Sequence, residues 1–217
     1  MRFSQERTVL VVVLGLAVCT IAVMFVLLQA KQTKTGSLPR RSAATYIDKS
    51  LGIRVTLPQP WIMLSASEAA LVTREGKAAL AESEQDTTKL GIEHPDPKAR
   101  LLTAMNPATG DSFQILKQAD PPSESESNLA NDLRSTLVNL VRMQALGPVE
   151  RMNVKKPVAH FNGRLTLRGT PVYQSIFVVV AHNTAIAFVF SGPAERVMSE
   201  SKQSFPLWVS FDSATPR

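Results

Sequence analysis

Residues 172–191 read VYQSIFVVVAHNTAIAFVFS, two apolar runs separated by the polar pair His182-Asn183. Successive side chains of a strand point to opposite faces, and both faces of each run are apolar here. Strands of this kind are covered on both sides, and a two-residue connection favours an antiparallel hairpin. The stretch therefore predicts the centre of a mostly antiparallel sheet covered by helices on both faces, an α/β (α+β) fold.

Shorter patterns on either side of this hairpin predict the remaining elements. Segments bounded by turn residues indicate further strands at Ile53–Leu57, Leu101–Met105, Ser112–Gln118, Glu150–Val154, Arg164–Arg168 and Leu207–Phe211. Helical patterns run from Ser65 or Ser67 to Glu84, from the acidic run Ser123–Ser127 to Gly147-Pro148, and from Pro193 to Lys202. We expect Gly169-Thr170-Pro171 to form a second tight hairpin connection.

The N-terminal region contains a long apolar segment. Thr8–Leu28 is 21 residues without a charge, a proline or a side-chain amide, and 14 of them are Val, Leu, Ile or Phe. A helix of this length spans about 31 Å, close to the hydrocarbon thickness of a bilayer. Those side chains favour insertion by roughly 4–8 kcal/mol. The sequence therefore predicts a transmembrane helix over residues 8–30, an uncleaved signal anchor that follows a tail at residues 1–7.

Three other interpretations of this segment have less support. A cleaved signal peptide has a shorter apolar stretch, and Leu28-Gln29-Ala30 only loosely resembles a cleavage site. The lipoprotein interpretation rests on Leu16-Ala17-Val18-Cys19, which resembles a lipobox, but the sequence stays apolar to Leu28. A buried helix of a globular domain is disfavoured because no face of the segment is polar. Cleavage stays the main alternative to the anchor.

The charges around the segment and the length of the following domain point to different orientations. Two arginines precede the span and four basic residues follow it: Arg2 and Arg7, then Lys31, Lys34, Arg40 and Arg41. A simple positive-inside count places the following domain in the cytoplasm, although long domains are translocated largely regardless of charge. A short tail before a long domain is the usual layout of a signal anchor. We expect a single-pass protein of the inner (cytoplasmic) membrane with its domain on the extracytoplasmic, periplasmic side.

The segment after the anchor is polar, and residues 31–45 predict a flexible basic linker. Together with residues 29 and 30 it has a typical reach of roughly 20–25 Å, which keeps the domain near the lipid headgroups. Its basic residues either rest on anionic lipid or are simply solvated. The folded domain is predicted over residues 46–212, with a C-terminal tail at residues 213–217.

The net charge of +6 and the pI near 9.7 raise the question of nucleic-acid binding. The basic residues of the domain are scattered singly, and no aromatic residues are interleaved with them as in a stacking platform. They include Arg54, Arg74, Arg100, Arg134, Arg164 and Arg196. We therefore expect no nucleic-acid partner.

Three short stretches carry a family resemblance: GIRVTLPQPW at Gly52–Trp61, FNGR at Phe161–Arg164, and Ser201–Phe205 with the later Ser210-Phe211. They resemble, in turn, the opening strand with its proline and tryptophan, a small turn, and the final helix and strand of the PsbP-like family. That family shares an α/β/α sandwich of the Mog/PsbP type with the DcrB-like bacterial envelope proteins. Gln-Pro stands before the tryptophan, where Glu-Gly or Asp-Gly is commoner.

The resemblance covers Tyr46–Asp212 and implies a PsbP-like α/β/α domain. It implies accessory or binding work in photosystems or at bacterial envelopes, with no shared catalytic residue. A fold of this kind does not by itself fix a function.

Few residues suggest catalysis or metal binding. The histidines His94, His160 and His182 have no partner histidine or carboxylate at metal-ligand spacing. We interpret His94 as part of a surface loop, His182 as part of a hairpin turn, and His160 as edge strand or loop. The acidic cluster Glu82, Glu84 and Asp86 is interpreted as solvated surface, with weak calcium binding as the alternative.

Sequence motifs add no catalytic assignment. The single cysteine, Cys19, excludes an intrachain disulfide and a thiolate zinc site. The sequence contains no G-x-S-x-G elbow, phosphate loop or dinucleotide fingerprint. We assign no catalytic, cofactor-binding or metal-binding residue and expect neither a cofactor nor enzymatic activity.

Trp61 is the most informative single residue for binding. It follows two prolines, which suggests either an interfacial rim position or burial as the cap of the first strand. We expect a membrane-anchored accessory or binding protein, a subunit or an assembly and stability factor of an envelope or membrane complex. The alternatives are an extracytoplasmic domain that binds a small ligand or lipid and, with less support, an uncharacterised hydrolase. The oligomeric state is not predicted.

Overall fold

The computed structural model describes residues 44–71, 99–118, 124–167 and 169–212. Several predictions lie outside these ranges: the membrane helix at 8–30, most of the helix predicted to end at Glu84, His94, and the acidic cluster Glu82, Glu84 and Asp86. Residues 66–71 are helical, where that predicted helix begins. Within the described ranges, we find no helix with the length and apolarity needed to cross a bilayer.

The described ranges contain ten strands and two long helices. The strands are β1 (Ala44–Asp48), β2 (Ile53–Leu57), β3 (Ile62–Met63), β4 (Arg100–Met105), β5 (Ser112–Gln118), β6 (Gln144–Val154), β7 (Lys156–Leu167), β8 (Thr170–Ala181), β9 (Thr184–Gly192) and β10 (Val209–Phe211). The helices are α1 (Glu126–Val141) and α2 (Arg196–Trp208). The strands pair antiparallel in two sheets, β1-β2-β10 and β3-β4-β5-β9-β8-β7-β6.

The hairpin of β8 and β9 lies in the middle of the large sheet, as predicted. His182 and Asn183 both have positive φ, 50° and 55°, as a two-residue hairpin turn requires. Alternate residues of these strands belong to two separate cores. Val178 packs in the core under α1, whereas Phe177 packs in the core under α2 and the small sheet. The predicted α/β class with mostly antiparallel sheets is confirmed, with α1 and α2 on opposite faces of the large sheet.

Helix α1 begins as predicted but ends earlier. The Ser125 side chain accepts a hydrogen bond from the Asn128 backbone N–H, at 3.3 Å, which caps the first turn. The prediction that the helix reaches Gly147-Pro148 is wrong. Arg142 adopts the left-handed conformation (φ 52°) and ends the helix, since β6 begins at Gln144. Gly147-Pro148 lies instead where the β6–β7 register shifts, a bulge that tolerates proline.

The turn predicted near Gly163 is also wrong. Phe161–Arg164 lies inside β7, which continues without a break from Lys156 to Leu167. Gly163 is required there for packing, because a Cβ at this position would collide with the Sδ atom of Met143. His160 is accordingly in an interior strand, and the prediction of an edge strand or loop is corrected.

Helix α2 is shifted and longer than the predicted Pro193–Lys202 helix, and the last strand is shorter than predicted. Val197, Ser201 and Phe205 recur every four residues and are buried against the large sheet. This burial carries the helix through Pro206 to Trp208, and only Val209–Phe211 is left for β10. At the other end of the domain, β1 begins at Ala44, two residues before the predicted boundary, because Ala44 and Thr45 pair with β2.

Candidate binding pocket

A pocket of about 410 Å³ lies between one face of α2, Trp61 just before β3, and the β4–β5 turn at residues 106–111. Its aromatic wall consists of Trp61, Phe190 and Trp208. The rest of its lining is mainly polar: Asn106, Thr109, Asp111, Arg196, Val197, Glu200, Ser201 and Ser204. A volume of this size fits a small ligand or one large side chain of a partner.

The aromatic wall is continuous with the core under α2. The Trp61 and Trp208 rings meet edge to face with centroids 5.3 Å apart, and Trp208 lies 5.6 Å from Phe190. Phe190 is buried, whereas both tryptophans are only half-buried. The core thus supports two tryptophan rings that keep part of their surface exposed at the pocket.

Arg196 joins the two carboxylates of the pocket. Its Nη2 donates to Asp111 Oδ2 and its Nη1 to Glu200 Oε2, each at 2.8 Å. Partial burial opposes the charge of the guanidinium, but the hydrogen bonds and charges of Asp111 and Glu200 outweigh this and raise the pKa of Arg196. These contacts tie the start of α2 to the β4–β5 turn and fix the width of the pocket.

The β4–β5 turn holds Asp111 firmly. The Asn106 backbone N–H donates to the Asp111 carbonyl at 2.8 Å, and Thr109 Oγ1 donates to Asp111 Oδ2 at 2.6 Å. The other carboxylate oxygen, Oδ1, is buried over Gly192 and has no hydrogen-bond donor among the described residues. Asp111 therefore lines the pocket as a buried carboxylate whose Oδ1 faces Gly192 and not the open space of the pocket.

A second polar group, outside this pocket, is centred on His160 in β7. Its Nε2 lies 2.8 Å from Ser175 Oγ, and its Nδ1 lies 3.9 Å from Glu150 Oε2, which accepts a hydrogen bond from Lys202 at 2.5 Å. Burial, helped by the positive charge of Lys202, lowers the pKa of His160 to about 4, against the opposing effect of Glu150. A serine, a histidine and a glutamate meet here, but His160 and Ser175 are buried at 1% and 0% exposure. A substrate has no path to this serine, and we interpret the group as structural.

Metal ligands are not brought together in the part of the chain that the structure describes. No group of three or more His, Cys, Asp or Glu side chains there is placed to hold an ion.

Comparisons with known proteins give a likeness of fold. Cyanobacterial PsbP (CyanoP) from Synechocystis sp. PCC 6803 matches with a TM-score of 0.52 and 10% identity, over 82% of this chain and 97% of that chain. The described domain has a PsbP-like fold. LpqN, involved in cell envelope biogenesis of Mycobacterium tuberculosis, matches with a TM-score of 0.43 and 10% identity, over 79% of this chain and 86% of that chain. PA94 from Pseudomonas aeruginosa, a protein of unknown function and putative regulator, gives 0.39 and 9%, over 82% and 99%.

The fold assignment rests on the first of these structures, since the other two TM-scores are below 0.5. No protein-family model and no curated protein matches the chain. At 10% identity the likeness to cyanobacterial PsbP concerns the fold alone and assigns no role to any pocket residue.

Of the residues singled out in the sequence, the PsbP-like domain places Trp61 in the pocket. The ring of Trp61 packs on the core, in agreement with the burial interpretation, and it also lines the pocket. Its role at an interface stays a prediction. His182 lies in the exposed hairpin turn, as predicted, and His160 is buried elsewhere.

The charged residues of the pocket were missed at the sequence level. Arg196 and Glu200 have the i,i+4 spacing of a helical ion pair, so this pair could have been predicted from the sequence. Asp111 is 85 residues from Arg196 and carries no such signal.

Proposed function

We propose that the chain is a non-enzymatic, single-pass inner-membrane protein. In this proposal its PsbP-like domain, on the periplasmic side, binds another subunit of a membrane complex as an accessory or assembly factor. The observation that carries the proposal is the pocket with its two half-buried tryptophans. Partly exposed tryptophan over a packed core is typical of the residues that contribute most to protein–protein binding.

The sequence supports the membrane location in this proposal. Thr8–Leu28 is long and apolar enough to stay in a bilayer, and the following linker allows the domain to reach roughly 20–25 Å from its anchor. A tethered domain meets partners in the same membrane at a raised effective concentration, so that a modest interface suffices.

The polar chemistry of the described domain supports binding over catalysis. Arg196 and the carboxylates of Asp111 and Glu200 are engaged with one another, and His160 is buried away from the pocket. A general acid or base has to reach a bound substrate by hydrogen bonding, directly or through one water. The arrangement suits recognition of a partner better than proton transfer.

Affinity capture of the full-length protein from native membranes tests the proposal. We expect a defined membrane protein to co-purify with the wild type and to be lost with Trp61→Leu, which removes the indole from the pocket. Glu200→Arg is the second variant, because Glu200 is exposed and its replacement leaves the core intact. Leu207→Ala is the control on the same helix, since Leu207 is 81% exposed and does not line the pocket.

The test depends on whether the pocket variants lose the captured partner. A partner retained equally by the wild type, both pocket variants and the control would contradict the proposal, and so would recovery of the chain alone at native expression.

A small-ligand or lipid-binding domain is the second candidate. The pocket volume of about 410 Å³ favours it, because ligand pockets typically measure ~300–1,000 Å³. Native mass spectrometry of the full-length protein in detergent distinguishes the two. A bound small molecule that Trp61→Leu releases would replace the protein partner as the proposed ligand.

A further inference from the structure

The accessible carboxylate of the pocket is that of Glu200, whose side chain is 57% exposed. Glu200 uses Oε2 in its bond to Arg196, whereas Asp111 Oδ1 is buried against Gly192 and does not face the open space of the pocket. The second oxygen of Glu200 can therefore accept a hydrogen bond from a group that only donates.

The charges of the pocket lining also favour a cation. Two carboxylates, Asp111 and Glu200, face one guanidinium, Arg196, so that the sum is −1. The start of α2 adds a partial charge of about +0.5, which does not reverse the sign. The pocket is therefore slightly negative on a protein whose net charge is +6.

The aromatic wall favours a cation as well. The faces and edges of Trp61 and Trp208 border the same space as the carboxylates, with ring centroids 5.3 Å apart. A cation over an aromatic face gains about 0.5–2 kcal/mol, and indole is the best of the natural rings. Lysine and arginine carry a long apolar stem that packs on such a wall and a charged end that only donates.

We infer that the pocket receives the side chain of a lysine or arginine from the protein partner, with its charged end near Glu200 and its stem against Trp61 and Trp208. This inference rests on the proposed function, because the partner supplies the side chain. It specifies the partner further: the partner presents a protruding basic residue.

Tryptophan fluorescence of the full-length protein in detergent micelles measures the charge preference directly. Trp61 and Trp208 are the two tryptophans of the chain, and both line the pocket. The probes are N-acetyl-lysine N-methylamide and its norleucine analogue, which has a stem of the same length without the ammonium. We expect saturable fluorescence changes with the lysine probe, at about tenfold lower concentration than with the norleucine probe.

A pair of charge variants localises the effect. Glu200→Gln and Glu195→Gln each remove one negative charge near the start of α2, but only Glu200 lines the pocket. Glu200→Gln should weaken binding of the lysine probe about threefold, with a change under about twofold for Glu195→Gln. Excess lysine probe, but not norleucine probe, should also elute the captured partner.

The outcomes separate this inference from the proposed function. Equal binding of both probes overturns the inference while capture of the partner through Trp61 stands. If the lysine probe binds but does not elute the captured partner, the pocket does not receive a side chain of that partner, and the inference is overturned. The proposed function fails by itself if, in the capture experiment, the partner is retained equally by the wild type and by Trp61→Leu.

Discussion

Asp111 and Gly192 fit together at the base of the pocket, and this contact sets a requirement on both residues. A Cβ at residue 192 would occupy the space taken by Asp111 Oδ1, and Asp111 in turn holds Arg196 at 2.8 Å. Glycine at this position therefore allows the carboxylate to sit against β9 and to reach α2.

We predict that Gly192→Ala destabilises the protein by about 1–3 kcal/mol, because the methyl group displaces a carboxylate that cannot move freely. In an Asp111→Ala background the same change should cost much less, since the obstructing oxygen is absent. Urea unfolding of the four proteins of this cycle measures both values. If Gly192→Ala lowers the free energy of unfolding equally in both backgrounds, its contact with Asp111 is not the cause of the destabilisation.

His160 gives a second residue-scale prediction, on pH dependence. Its pKa is about 4 in the folded protein and has the ordinary histidine value of 6.5 in the unfolded chain, so below pH 6.5 the unfolded chain binds the extra proton. Stability is therefore full above about pH 6.5 and decreases as pH falls toward 4. We expect a loss of about 2 kcal/mol between pH 8 and pH 5.

The variant His160→Gln should remove most of this slope, whereas His182→Gln, in the exposed turn, should retain it. Urea midpoints at a series of pH values measure the slopes, and the comparison cancels the titration of the carboxylates common to all three proteins. An unchanged slope in His160→Gln would mean that other groups titrate in this range.

At the scale of elements, several buried polar residues lie on the face of the large sheet against which α1 packs. Thr103 in β4 pairs with Gln114 in β5, and both are buried. Neither the amide nitrogen nor the amide oxygen of Gln114 has a hydrogen-bond partner in the described part of the chain. Gln174 in β8 is better satisfied, because its amide donates to Ser191.

We predict that Gln114→Met stabilises the protein by about 1 kcal/mol, because a side chain of similar shape replaces an amide that lacks partners. Gln174→Met is the matched control, and it should gain less or lose stability, since it breaks the bond to Ser191. Thermal or urea unfolding provides the test. A loss of stability in Gln114→Met would indicate that the amide is satisfied in solution.

Some elements of the fold could be predicted from the sequence, and others could not. Periodicity identified the central hairpin and the helical segment that contains α1, because those patterns depend only on local side chains. The Gly147-Pro148 signal misplaced the end of α1, and the family resemblance placed a turn at Gly163. In both places the strand pairing between β6 and β7 determines the structure. Trp61 was singled out from the sequence, but its place in one pocket with Asp111 and Arg196 depends on tertiary contacts that no local pattern encodes.

On the scale of the whole molecule, a membrane anchor predicted from the sequence precedes a domain of PsbP-like fold. We predict that alkaline carbonate leaves the full-length chain in the membrane fraction, because 21 uncharged residues favour the bilayer. Gly15→Arg with Ala22→Arg should release it, since each arginine at this depth costs about 2.5–3.5 kcal/mol. Carbonate release of the intact wild type, or a mature protein that begins after residue 30, would contradict the anchor.

Site-specific photo-crosslinking in intact cells tests whether the partner binds at the pocket, with a benzophenone residue at Ser204 inside the pocket or at Leu207 outside it. We expect one dominant adduct with a membrane-complex protein from position 204, weakened by Glu200→Arg, and little or none from position 207. The same adducts from both positions, or none from position 204, would contradict binding at the pocket.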